Sequence, residues 1–440
     1  MDPVEFIKCE LMPKLVSDGK LSFDSDVAIK SCEVSKLGED GTYMRTQCYR
    51  AKVELFGVKS GLSEKVCLVI KLTPQNLPLE FYHGGKYGQL FENEYITYNT
   101  ILPLLKDLDI FYPRYFFSNR MAQEEVIVLN DFTADGWSVA KPVTNLSLEN
   151  ILAAVKLLGK FHGYSYGIKE TNPELFNEIR KQLKLTSFNE DTTGNDVWDI
   201  MMIKSIRRGT NSIRETKVAA RNDVMKALGE EMEVPEDFLM AFEKYLEHPM
   251  KVQRVLNEPT EPLGVLCHGD FLSNNIAFKK SAGDDDIPIA MMFDFQTLRY
   301  TSPMVDLATF MANSTGVDVR SSHFDDIFRS YHTELVKALC EKWNKNEDEL
   351  PSHYSYGNFL KEYAKYLPFG YSIAASFMPI LHCPVQDPIA EMMQYTTESE
   401  NFNEMIEKAL TIGGEIVNRE LRSLILDIYR LHKITDVTFE

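Results

Sequence analysis

Three oxygen-bearing side chains stand at a spacing that suits phosphoryl transfer. His268-Gly269-Asp270-Phe271-Leu272-Ser273-Asn274-Asn275 puts an aspartate five residues before an asparagine, and Asp294-Phe295-Gln296 begins 19 residues later. Moving a phosphoryl group needs a carboxylate beside the attacking hydroxyl and hard oxygen ligands that hold Mg²⁺ against the phosphates. Asp270 suits the first task, as a base. Asn275 and Asp294 suit the second, as metal ligands. Protein-kinase motifs use the same order of Asp-x4-Asn and a later Asp, but here Gly269 replaces their Arg and Gln296 replaces their Gly. Each feature alone is common by chance. Together, on the apolar strand-like runs GVLCHGD and PIAMMFDF, they are far more specific.

A phosphate clamp is expected from the front half of the chain. Lys71 lies in the apolar run CLVIKL, where a buried ammonium is costly without a partner. The helical segment after it offers Glu92 and Glu94. Glu94 is the better partner, because Tyr95, Tyr98 and Leu102 give it an apolar flank. The bland alternative is an edge-strand lysine that reaches solvent. Gly38 and Gly41, in LGEDGTY ahead of Lys71, permit a tight turn whose N–H groups could face phosphates. The connector Val128-Leu129-Asn130-Asp131-Phe132 would meet an adenine ring through its backbone, which nominates Leu129, Asn130 and Phe132 for ATP binding. Asp306, 12 residues after Asp294, reads as an anchor for the Asp270 loop, His268 as a brace, and His162 as a satisfied helix-surface or core histidine.

The elements that must position these residues fall into two parts. An amphipathic helix is expected over roughly 2–16. Alternating, β-branched runs near 26–36, 42–56, 65–73, 112–118 and 124–131 read as strands, with one strong helix over 89–106. From Ser147, an N-cap with Asn150 three residues on, the chain reads as helical, apart from a short hairpin over 263–298. Its tip, Asp284-Asp285-Asp286, reads as a solvated loop. From Ser302-Pro303 to the end the chain is nearly all helix. The expected class is α+β, with a small β-rich lobe over 1–131 and a large helical lobe over 132–440.

Composition narrows the function. The 440 residues carry 47 basic and 65 acidic side chains, a net charge of −18. Such a chain is a poor default partner for nucleic acid or anionic lipid. No run of 18 apolar residues is present, so no membrane span is expected. Seven cysteines without paired spacing, and a start unlike a signal peptide, lead us to expect reduced thiols and a cytoplasmic setting. Oligomeric state is not legible.

The chain resembles the ecdysteroid-kinase-like family of arthropods, a CHK-domain group related to choline kinases and aminoglycoside phosphotransferases. VLCHGDFLSNNIAF (265–278), MMFDFQTLRYTSPMVDLATFM (291–311), VIVLNDF (126–132), LLGKFHGYS (157–165) and LFENEYITYNTILP (90–103) carry the resemblance. It implies a protein-kinase-like two-lobed fold. It also implies Asp270 as base, Asn275 and Asp294 as Mg²⁺ ligands, Lys71 as the phosphate lysine and Glu94 as its partner. The chain departs from the family in carrying Phe271-Leu272 where a Leu-Trp pair is common and Asn130-Asp131 where Glu-Asp is usual. The resemblance implies transfer of the γ-phosphate of ATP to a hydroxyl of a small molecule, an ecdysteroid or a xenobiotic. The aromatic, proline-interrupted stretch 363–381 could line a steroid-sized pocket or be ordinary helix core. The alternative function is a nucleotide- or hormone-binding pseudokinase. A protein kinase is disfavoured by the missing Arg and Gly and by the lack of an APE-like segment.

Overall fold

A computed structural model describes residues 2–21, 26–38, 46–75, 77–105, 110–186, 197–219, 234–281, 288–382 and 401–439. The class is α+β. The chain divides into two units, one comprising Met1–Ser138, Lys181–Thr186 and Met291–Leu298, the other Val139–Arg180, Ser187–Ala290 and Arg299–Glu440. The sequence places a single boundary at 131. The observed division falls at Ser138, and two short segments from later in the chain return to the first unit.

The first unit is built on an antiparallel sheet of β1 (Val27–Lys36), β2 (Gln47–Gly57), β3 (Ser63–Leu72), β4 (Tyr115–Asn119) and β5 (Val126–Asn130), in the order β1-β2-β3-β5-β4. Period-two alternation fixes its faces. Tyr49, Ala51, Val53 and Leu55 of β2 and Leu68, Ile70 and Leu72 of β3 join one core. Ile7, Leu11, Met12 and Leu15 of the N-terminal helical segment also belong to it. That segment is α1 (Pro3–Phe6), a π-helical turn over Ile7–Leu11 and α2 (Met12–Ser17), rather than one uniform helix. Asp2 caps its start, accepting from the Val4 and Glu5 N–H groups.

Alternation also sends Lys71 away from that core, toward the helices that follow. These are α3 (Leu79–Gly84) and α4 (Tyr87–Ile96). The expected helix over 89–106 changes geometry along its length. After α4 it continues as a π turn over Thr97–Ile101 and a 3₁₀ turn over Leu102–Leu105. Pro103 has no N–H for a regular α ladder, which accounts for the tightening at the end.

The second unit is mainly helical. Its helical segments are α5 (Leu148–Thr171), α6 (Pro173–Gln182), α7 (Val197–Ala219), α8 (Glu236–Tyr245), α9 (Pro249–Asn257), α10 (Met304–Ser314), α11 (Val317–Trp343), α12 (Tyr356–Leu381), α13 (Phe402–Thr411) and α14 (Gly414–Thr435). Ser147 caps α5, its hydroxyl accepting from Asn150 N–H at 3.4 Å. Gly159, Gly163 and Gly167 recur every four residues along one face of α5. A Cβ at these positions would collide with Tyr331 O, Leu335 O and the Lys342 side chain respectively, so the spacing lets α5 lie against the α11 backbone. Helix α12 runs through Pro368 and Pro379 without breaking. Tyr363, Tyr366, Phe369 and Tyr371 on it are buried, and the Tyr371 hydroxyl donates to Ile206 O at 2.8 Å. Those four side chains serve as helix core.

The short strands correct one expectation. GVLCHGD and PIAMMFDF do not pair with each other. Strand β7 (Val265–Cys267) pairs antiparallel with β10 (Arg299–Thr301). Strand β8 (Ile276–Lys280) lies between β6 (Ser138–Val139) and β9 (Pro288–Met292). The acidic turn at 284–286 lies outside the described residues.

Two buried histidines give the second unit a pH dependence. Burial lowers the pKa of His332, whose Nε2 donates to Tyr354 O at 2.8 Å, and of His432. A group held below its unfolded pKa contributes stability that is present above about pH 6.5 and lost as pH falls. Thermal melts should therefore show a lower midpoint at pH 5.5 than at pH 7.5 for this unit. The double variant His332→Gln, His432→Gln should narrow the gap, and an unchanged gap would assign it to other groups.

Candidate active site

The first cluster grows from β3 and α4. Lys71 is 7% exposed and Glu94 2%. The Lys71 ammonium donates to both Glu94 oxygens, at 2.7 and 3.0 Å, and to Asp294 Oδ1 at 2.8 Å. Glu92, the other candidate, faces out and pairs with Arg120 at 3.1 Å. Burial opposes the charge on Lys71, but Asp294 and Glu94 outweigh it and hold the ammonium well above its ordinary range. One cation is thus shared by two carboxylates. Burial, helped by the charge of Asp294, overrides the pull of Lys71 and pushes Glu94 up to about 7.

Asp294 reaches this cluster although it lies 223 residues after Lys71. The chain passes into the first unit within β9. There Met291 bridges to Phe111, and Met292 N–H donates to Phe111 O at 3.1 Å. Asp294 itself is left-handed, with φ 69° and ψ 63°, a conformation uncommon for a residue other than glycine. Its Oδ2 accepts from Gln296 Nε2 at 3.4 Å. Phe295 packs edge-on against Tyr98, with centroids 5.6 Å apart.

The connector and the expected phosphate turn belong to the same unit. Leu129 is buried and stands opposite Val69 and Tyr115 in the sheet. The Asn130 carboxamide accepts from Arg114 N–H and donates to Asp135 at 3.1 Å. The Phe132 ring lies 5.0 Å from Phe293. Asp131 is held by Arg50 at 2.5 Å. Gly38 has φ +73°, the conformation a tight turn requires, whereas Gly41 lies outside the described residues.

The second cluster, in the helical unit, holds Asp270 and Asn275. The loop after β7 turns through Gly269, at φ +84°, and Asn275 closes a 3₁₀ turn over Ser273–Asn275. Asn275 Nδ2 donates to Asp270 O and to Asp270 Oδ2, both at 2.9 Å. With its NH₂ so engaged, the amide oxygen of Asn275 is the group left for a cation.

Asp306, at the start of α10, anchors this loop. Its carboxylate accepts from His268 N–H at 2.7 Å, from Gly269 N–H at 2.8 Å and from His162 at 3.2 Å. His162 in turn bonds the Tyr331 hydroxyl at 2.8 Å. Burial acts to raise the Asp306 carboxyl, but the hydrogen bonds and charge of His162 and His268, with the Gly269 N–H, bring it below the usual range. His162, Cys267 and Asp306 bring possible metal ligands within 4.8 Å of one another. The chemistry is wrong for an ion there. Both Asp306 oxygens already serve N–H groups, and burial with Asp306 nearby holds the Cys267 thiol well above its normal pKa, so it donates to Ser302 O. Asp306→Ala removes two charge-assisted bonds to backbone amides, one buried and one part-buried, and should cost on the order of 3 kcal/mol. Urea unfolding would measure it, and a change under 1 kcal/mol would rule out the anchoring role.

Two site residues were missed at the sequence level. Arg299 donates to Gly269 O at 3.1 Å and to Asn257 Oδ1 at 2.8 Å, so it fastens the Asp270 loop from β10. The RY motif that contains it was the available signal. Asn93, buried inside α4, carried none, since an asparagine between two glutamates reads as helix surface.

The family to which the chain belongs makes it a kinase-like phosphotransferase. More narrowly, the chain belongs to the ecdysteroid kinase-like family, whose family model matches residues 40–344. Among solved structures, the chain is similar to an ethanolamine kinase from Plasmodium vivax (14% identity, 92% of this chain and 86% of that chain covered, TM-score 0.37). It is also similar to a microcompartment-associated aminopropanol kinase (9%, 98% and 100%, TM-score 0.38). A third is an aminoglycoside-3'-phosphotransferase of type VIII (13%, 79% and 93%, TM-score 0.30). No curated protein matches the chain. Among the described residues no helix is long and apolar enough to cross a membrane.

Proposed function

We propose that the protein is an ATP- and Mg²⁺-dependent small-molecule kinase that phosphorylates a hydroxyl of an ecdysteroid or another small hydroxylated compound. The observation that carries this reading is the Lys71 ammonium held between Glu94 and Asp294. A buried lysine fixed in this way suits the α- and β-phosphates of ATP, and the arrangement corresponds to the strand-lysine and helix-glutamate pair of the kinase fold. Family membership favours a small acceptor over a protein.

By residue type, two oxygen donors, one in each unit, suit magnesium. The Asp294 carboxylate and the Asn275 amide oxygen are hard oxygen ligands of the type Mg²⁺ takes alongside phosphates. When bound, Mg²⁺ neutralises charge on the β- and γ-phosphates. Lys71 would hold the α- and β-phosphates, with Glu94 preventing its swing. Leu129, Asn130 and Phe132 would present the connector backbone to adenine, and Gly38 and Gly41 would give the phosphate turn its freedom. Asp270 would take the proton of the acceptor hydroxyl as its oxygen bonds to the γ-phosphorus. The bond from that phosphorus to the β,γ-bridging oxygen breaks, and ADP leaves with the electron pair. Asn275 orients the Asp270 carboxylate throughout.

An ADP-release assay with Mg²⁺·ATP across steroid polyols, glycosides and amino alcohols tests the reading. Acceptor-dependent ADP release that vanishes with EDTA is expected from at least one class. Binding of Mg²⁺·ATP without release for any class would point to a pseudokinase, and no binding at all would remove the nucleotide site.

A further inference from the structure

We propose that Asn93 is the positioning residue for Asp294: its carboxamide fastens the loop after Asp294 and the segment Lys181–Thr186 to α4. The inference rests on the functional reading above for its catalytic meaning, but the contacts are independent of it. Asn93 is fully buried. Its Nδ2 lies 2.8 Å from Lys184 O, 3.3 Å from Gln296 O and 3.4 Å from Leu298 O. Its Oδ1 accepts from Lys184 N–H at 2.8 Å.

The two bonds to Lys184 reproduce the N–H and C=O exchange that a neighbouring strand would offer. The bonds to Gln296 and Leu298 grip the loop just beyond the left-handed Asp294. Gln296 then links the grip to the metal ligand, since its own side chain donates to Asp294 Oδ2 at 3.4 Å. Kinase motifs carry glycine at that position, so this chain has a side-chain contact there that a glycine cannot make. Lys86 adds a second tie, from its ammonium to Leu185 O at 3.4 Å.

A buried carboxamide inside a helix is unfavourable unless its hydrogen bonds are made. Asn93 satisfies its own only while Lys181–Thr186 and the Asp294 loop are both docked on α4. Glu94 is the next residue along the helix. A shift of any of the three segments therefore bears on the Lys71–Glu94–Asp294 group. This gives the segment Lys181–Thr186, which lies far from the catalytic motifs in sequence, a part in holding them.

Two variants test the proposal in the full chain. Asn93→Asp keeps an acceptor for Lys184 N–H and removes the donors. Asn93→Leu removes both. Amide hydrogen exchange on the unliganded protein is read at Lys184 and at 294–298, and ATP binding is titrated against Mg²⁺. Both variants should exchange about tenfold faster over 294–298 and need about tenfold more Mg²⁺ for half-maximal ATP binding, the loss expected for roughly 1.4 kcal/mol. Lys184 should lose protection only in Asn93→Leu. Unchanged exchange and Mg²⁺ requirement in Asn93→Asp would overturn the proposal. So would an equal loss of protection across β1–β5, or failure of both variants to fold, because either marks a residue that is structural throughout. If the unaltered protein binds no Mg²⁺·ATP, the functional reading fails, while the exchange data still decide whether Asn93 holds the loop.

Discussion

Asp270→Asn should reduce phosphoryl transfer by about 10²- to 10⁴-fold, the range a positioned general base contributes, and leave ATP binding nearly unchanged. Asn is isosteric, so the loop anchored by Asp306 and Arg299 keeps its shape. The bonds from Asn275 Nδ2 can still find Asp270 O and a side-chain oxygen. What disappears is the basic carboxylate. Single-turnover assays with saturating Mg²⁺·ATP would separate the effect on chemistry from any effect on binding. A variant that keeps full turnover would reassign the base, and one that loses ATP affinity in proportion would make Asp270 a binding group.

Lys71→Met should be the more damaging change, because it acts on stability as well as function. The substitution leaves Glu94 and Asp294 facing each other with no cation between them. Breaking a buried pair by removing one partner costs about 3–5 kcal/mol. The loss is reduced where Glu94 can take up a proton, and its carboxyl already sits at about 7. A pKa raised from 4.5 means the folded state binds more protons than the unfolded state between those values. Stability from this group is therefore fully present below about pH 4.5 and lost as pH rises through 7. The variant should accordingly be rescued in part at pH 5.5 relative to pH 8, a direction opposite to that of His332 and His432. Its transfer rate should fall by about 10²- to 10³-fold, as for loss of one preorganised donor to a developing charge. Urea melts at the two pH values check the first part, and an equal loss at both would mean that Glu94 does not carry the unpaired charge.

Much of this site was legible in residue type and spacing. A lysine in an apolar run pointed to a buried partner only beside the Asp270, Asn275 and Asp294 pattern, and the apolar flank of Glu94 favoured it over Glu92, a choice that the structure and not the sequence settles. Asp306 announced itself by its position at a helix start, where backbone N–H groups and a carboxylate meet. The strands followed from alternation. What could not be read were consequences of chain return. Nothing in PIAMMFDF shows that the chain leaves the helical unit between Ala290 and Met291, or that β7 pairs with β10 rather than with β9. Both depend on which distant backbone edge is free. The π turn at 97–101 and the unbroken α12 through two prolines are likewise set by packing, which overrides local propensity. Asn93 was invisible because its partners are backbone carbonyls contributed by two distant segments.

Lys71, Glu94 and Asp294 are proposed to form a magnesium-dependent nucleotide site. Isothermal titration of ATP into the unaltered protein and into Asp294→Asn, each with Mg²⁺ and with EDTA, tests it most directly. Tight binding that depends on Mg²⁺ is expected in the unaltered protein, with a loss of that dependence in the variant. Equal ATP affinity under all four conditions, or no binding in any, would contradict it.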